Sequence, residues 1–87
     1  MNQEKVYEVI KEFCSEKLHT EALETDTPLR DYGEFDSLLV VELILFLEEA
    51  LNIEIPEEYY GMENFETIAK IINTVEHSES IKSMEVS

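Results

Sequence analysis

Asp36 and Ser37 stand directly before a run in which every residue from Leu38 to Leu47 is apolar except Glu42. A carboxylate and a hydroxyl at the head of a greasy helix permit a definite chemistry. The Asp36 side chain can accept orphan backbone N–H groups as an N-cap. Ser37 then falls in the first helical turn with its hydroxyl outward. A phosphate ester on that hydroxyl would lie near unpaired backbone N–H groups and the positive end of the helix dipole. The same residues make a poor catalytic centre, because no second catalytic group lies near Ser37 in the sequence. A calcium loop starting at Asp31 would put Glu42 at its twelfth position. It would also place Gly33 and Phe35 where oxygen ligands belong and Asp36 where glycine is required, so it fails. His19, His77 and the single Cys14 have no zinc-ligand spacing, and no metal site is expected. Cys14 lies near the apolar stripe of the first helix and reads as a small core residue. It cannot form an internal disulfide.

The elements that must position Ser37 are helical. Val6, Val9, Ile10, Phe13 and Leu18 fall close to helical spacing and predict a helix from about Asn2 to Lys17. A long loop follows from Leu18 to Phe35, with Pro28, Gly33 and three threonines that suit turns, and Leu23, Leu29 and Tyr32 to pack it down. The central helix runs from Ser37 to about Asn52. On a wheel, Val40, Leu43, Ile44, Leu47 and Leu51 gather opposite Glu42 as the core face. Leu38, Leu39, Leu45 and Phe46 share the other half with Glu42 and Glu49. That half is either covered by neighbouring elements or offered to a partner. Pro56 and Gly61 punctuate the next stretch, which holds one short helical turn near Glu57–Tyr60 or Met62–Phe65. Tyr59 and Tyr60 read as half-buried packing there. Thr67 caps a last helix whose Ile68, Ile71, Ile72 and Val75 recur at helical intervals. Strand alternation is lacking apart from Ile53-Glu54-Ile55. The expected fold is all-α, a four-helix bundle of three longer helices and one short. It occupies a single domain over residues 1–76, with a frayed tail at 77–87.

The chain has 87 residues and a net charge of -15, from 21 acids against 6 bases. Such a surface repels nucleic acid and anionic membranes and attracts basic patches on other proteins. Self-repulsion predicts that stability rises with salt. No signal peptide is recognisable, and no apolar run reaches the roughly 18 residues of a membrane span. A soluble, cytoplasmic monomer is expected.

Several short motifs recur at fixed spacing: Leu29-Arg-Asp-Tyr-Gly33, Asp36-Ser-Leu38, Val41-Glu-Leu43, Leu47-Glu-Glu49, Ile53-Glu-Ile-Pro56 and Thr67-Ile68. Together they resemble the acyl carrier proteins of the phosphopantetheine-binding family over about Thr27 to Val75. The resemblance implies that Ser37, flanked by Asp36, is the attachment point of 4'-phosphopantetheine, delivered from coenzyme A by a phosphopantetheinyl transferase. The arm's thiol would hold an acyl or aminoacyl group as a thioester, and the carrier would perform no chemistry itself. An acyl or aminoacyl ligase or transferase would load it, and downstream biosynthetic enzymes with basic patches would read it. Leu38, Val41 and Leu45 would supply apolar docking contacts, and Glu42, Glu48 and Glu49 acidic ones. Two residues, Glu34 and Phe35, separate Gly33 from Asp36. That spacing resembles D-alanyl carriers and carriers of amino-acid and polyketide pathways more than bacterial fatty-acid carriers. Leu39 replaces a common acid and Phe46 a common small residue, so the helix face is more apolar. These departures point to a specialised stand-alone carrier. The competing expectation is an acidic helical interaction module that is never modified.

Overall fold

A computed structural model describes the backbone of residues 3–86 and the side chains of residues 3–78. Three α-helices form the frame: α1 Gln3–Lys17, α2 Ser37–Leu51 and α3 Ile68–Val86. No strand occurs among the described residues. Helix α1 packs against both α2 and α3.

Helix α1 buries Val6, Ile10, Phe13 and Cys14, spaced four, three and one residues apart so that they share one face. Glu4 in its first turn and Lys17 in its last suit the helix dipole. Leu18 is buried just beyond, and the chain turns away at His19, whose φ of 55° is left-handed. Histidine is among the residues that enter that region more readily than most.

The loop from α1 to α2 is held down in the way its composition predicts. Leu23 and Leu29 are buried and Tyr32 packs against the core. Thr20 Oγ1 accepts the Ala22 N–H at 3.2 Å, and Thr27 Oγ1 accepts that of Glu24 at 2.9 Å. The loop is also tied to the start of α3, since the Leu29 N–H donates to the Glu66 carbonyl at 2.8 Å and the Ala69 N–H to that of Thr25 at 3.0 Å.

Helix α2 buries the expected core face, Val40, Leu43, Ile44, Leu47 and Leu51. Leu39 departs from expectation: assigned to the outer half, it is only 6% exposed. It sits one turn before Leu43 and joins the buried cluster that includes Leu29 and Phe35 from the preceding loop. The loop therefore widens the apolar face beyond what a helix-only wheel assigns. Helix α2 ends at Asn52, which takes the left-handed conformation (φ 53°, ψ 52°) and donates its N–H to the Glu48 carbonyl, a standard helix stop.

In place of one short α-helix before α3, the chain makes two single 3-10 turns, Glu57–Tyr59 and Met62–Asn64. Pro56 and Gly61 precede them, and neither is long enough to close an α-helical ladder. Tyr59 is half-buried, whereas Tyr60 is more exposed than expected, at 38%. The Thr74 hydroxyl on α3 donates to the Asn64 carbonyl at 3.2 Å, which docks the second turn on that helix. Phe65, Ile68, Ile71 and Val75 are fully buried. The expected frayed tail is instead a helical continuation, because α3 runs on to Val86. No proline or glycine interrupts it, and the Ser78 hydroxyl, itself buried, donates to the Thr74 carbonyl at 2.8 Å.

Candidate functional site

The start of α2 is built as the residue types require. Asp36 is extended (φ -142°, ψ -176°) and its Oδ1 accepts the Leu39 N–H at 2.8 Å. The first intrahelical bond runs from the Val40 N–H to the Asp36 carbonyl at 3.1 Å. Asp36 thus does the capping, and Ser37 is released from it. Ser37 is exposed, and its hydroxyl makes no hydrogen bond among the described residues. Phe35, two positions earlier, is buried, and its N–H donates to the Tyr32 carbonyl at 3.0 Å. The buried Phe35 and Leu39 anchor the chain on either side of Ser37. These features fit a phosphodiester: a solvent-facing hydroxyl, fixed backbone on both sides and a helix start behind it.

Beyond Ser37, α2 exposes an apolar stripe. Leu38 is 66% exposed, Val41 47% and Leu45 60%. The three recur at i, i+3 and i+7, the spacing by which one helix face meets a groove. Phe46 lies to one side and is partly covered by α1, its ring 5.1 Å from that of Phe13.

The three acids of this helix stand in different surroundings. Glu42 pairs with Lys17 of α1 at 3.5 Å, each side chain about half exposed (45% and 44%). Lys17 also lies 5.7 Å from the Phe13 ring centre, which holds it over the α1–α2 seam. Glu48 is half-buried, and its Oε2 accepts the Ile55 N–H at 2.9 Å, pinning the segment that leaves α2. Glu49 is exposed and has no partner among the described residues. Burial pushes the Tyr60 phenol up, and the charges of Glu48, Glu57 and Glu54 push it the same way. That end of α2 is therefore strongly negative.

Sequence reasoning missed Lys17 and the Ile55 N–H as partners of Glu42 and Glu48, and no local signal would have found either. It also passed over Glu66, which bonds Arg30 at 2.6 Å and Lys70 at 2.9 Å. Here a signal existed, since Glu66 and Lys70 stand four apart. The hydrogen bond from Lys70 leads in holding the Glu66 carboxyl below the usual range, with the Lys70 charge and the Arg30 contacts adding to it.

Cys14 is fully buried, and burial pushes its thiol up to about 12, which leaves it inert as a nucleophile. An open depression of about 610 Å³ lies along α1, lined by Lys11, Glu12, Ser15, Glu16 and Glu21, none of them part of the Ser37 region. Among the described residues no group of three metal-ligating side chains comes together, and no helix is long and apolar enough to cross a membrane.

The chain is similar to the D-alanyl carrier proteins of Streptococcus pyogenes serotype M5 (strain Manfredo), serotype M49 (strain NZ131) and serotype M1. Each is 43% identical over 51 residues, a stretch covering 59% of this chain and 65% of the relative. The chain thus spans somewhat less than two thirds of the curated relatives it matches. No solved structure matches it. Residues 8–75 match the family described as the phosphopantetheine attachment site, a span that takes in most of α1, all of α2 and the start of α3. With phosphopantetheine as that family's prosthetic group, the chain belongs to the phosphopantetheine attachment site family.

Proposed function

We propose that this chain is a carrier protein on which Ser37 bears 4'-phosphopantetheine, and that its cargo is an aminoacyl or acyl group destined for biosynthetic enzymes. The observation that carries this reading is the division of labour at the start of α2: Asp36 caps the helix, and the exposed Ser37 hydroxyl has no other bond to make. A serine that serves as a cap has its oxygen occupied by a backbone N–H. Here that oxygen is open to a transferase carrying coenzyme A. When bound, the group supplies a thiol at the end of a long arm, which holds cargo as a thioester. The residues of the chain do the rest by position. Asp36 fixes the helix start, Phe35 and Leu39 hold the backbone on both sides of Ser37, and the helix dipole favours the added negative charge.

The exposed Leu38, Val41 and Leu45, with Glu42, Glu48 and Glu49 beside them, form the face that loading and accepting enzymes meet. In this reading the two 3-10 turns stand for the short helix of a four-helix carrier bundle over residues 1–76. The protein is a cytoplasmic monomer with no catalysis of its own. The likeness to D-alanyl carrier proteins and the two-residue spacer Glu34-Phe35 favour an aminoacyl cargo over a fatty acyl one.

Intact mass tests the reading, after incubation with coenzyme A and a promiscuous phosphopantetheinyl transferase. Wild type should gain one phosphopantetheinyl group and Ser37→Ala none. No gain by folded, initially unmodified wild type would overturn it and leave an unmodified acidic interaction module.

A further inference from the structure

Resting on the carrier reading, we propose that the enzymes serving this chain meet α2 through an apolar groove over Leu38, Val41 and Leu45, with a single basic side chain set against Glu49. The chain's charge of -15 argues at first for a broadly basic partner. The geometry divides the acids of α2 differently. Lys17 already holds Glu42 at 3.5 Å, so a partner's cation there replaces an ion pair rather than adding one. Glu48 already accepts the Ile55 N–H at 2.9 Å, and a partner that drew it outward would loosen the exit from α2. Glu49 alone of the three has no partner among the described residues. The apolar stripe is more than half exposed at Leu38 and Leu45, and its i, i+3, i+7 spacing lets the three side chains enter one groove together. Burial of such a stripe supplies the binding free energy, while one unpaired charge sets register and approach. Lys17 is then a specificity-determining residue, since it withdraws Glu42 from recognition.

The test is kcat/KM for phosphopantetheinylation by the same promiscuous transferase, with coenzyme A saturating, at low and near-physiological ionic strength. Leu45→Ser and Val41→Ser should each lower it about tenfold or more with wild-type melting temperatures, because both residues are exposed. Glu49→Gln should lower it about threefold at low salt, and Glu42→Gln and Glu48→Gln by less. Lys17→Met should steepen the salt dependence and raise the effect of a second substitution, Glu42→Gln, to that of Glu49→Gln. Equal effects of Glu42→Gln and Glu49→Gln in the wild-type background would overturn the proposal. So would apolar variants close to wild type, or a wild-type dimer in sedimentation that Leu45→Ser dissolves. Wild type that gains the group while the ranking fails refutes this inference alone. Wild type that gains nothing refutes the carrier reading and this inference with it.

Discussion

Helices α2 and α3 start in the same way and end up in opposite circumstances. Asp36 caps one by accepting the N–H three residues on, at 2.8 Å, and Thr67 caps the other with the same geometry at 3.1 Å. Around Thr67 the chain closes in. Glu66 bridges Arg30 and Lys70, Leu29 and Thr25 of the long loop bond to Glu66 and Ala69, and Ile68 behind the cap is buried. Around Asp36 nothing closes in. Ser37 and Leu38 face solvent immediately after the cap. A capped helix start is therefore not a site in itself. It becomes one where the next side chain is left without structural work, and it becomes scaffold where loop and ion pairs are laid across it.

The sharpest way to break this comparison is at the open end. Ser37→Ala should abolish the mass gain completely while costing well under about 1 kcal/mol in a urea titration, since an exposed hydroxyl with no partner is lost. A larger stability loss would mean that Ser37 is part of the scaffold. Next in size is a pair of leucines on either side of the divide. Leu29→Ala should cost about 2–5 kcal/mol, because its side chain is fully buried. Leu38→Ala should stay within about 0.5 kcal/mol by the same titration. If the two costs were alike, the stripe on α2 would be covered in solution. The caps come third: Asp36→Ala and Thr67→Ala should each cost about 1 kcal/mol, which checks that the two starts differ in surroundings and not in capping.

The smallest effect belongs to Glu66. Its carboxyl is held below the usual glutamate range, mainly by the hydrogen bond from Lys70. Its contribution is therefore present above the unfolded-state value and lost as pH falls through the lowered folded one. Glu66→Gln at neutral pH should speed amide hydrogen exchange at Leu29 and Ala69 and leave Leu39 unchanged. Equal acceleration at all three would show that the two helix starts open as one unit.

Much of this contrast was legible before any coordinates. The cap at Asp36, the outward Ser37, the stop at Asn52, the cap at Thr67 and the core stripe of α2 follow from rules acting within a few residues along one helix. The loop's own packing by Leu23 and Leu29 was legible too, because apolar residues in a long polar loop have few other uses. The 3-10 turns were only half visible. Proline and glycine marked where helix must stop, but the choice between one short α-helix and two single turns depended on docking against α3 through Asn64 and Thr74.

The amino-acid sequence alone determined which residue stands ready for modification, since capping and helix phase are local and reach no further than about one turn. Tertiary structure alone decided which neighbours of that residue are free to be read. Leu39 is buried because the loop folds over its side of α2. Glu42 is paired because α1 brings Lys17 across, and Glu48 is tied because the chain doubles back at Ile55. Each of these contacts joins segments that no periodicity relates, and their formation depends on where the helices pack rather than on what each helix contains.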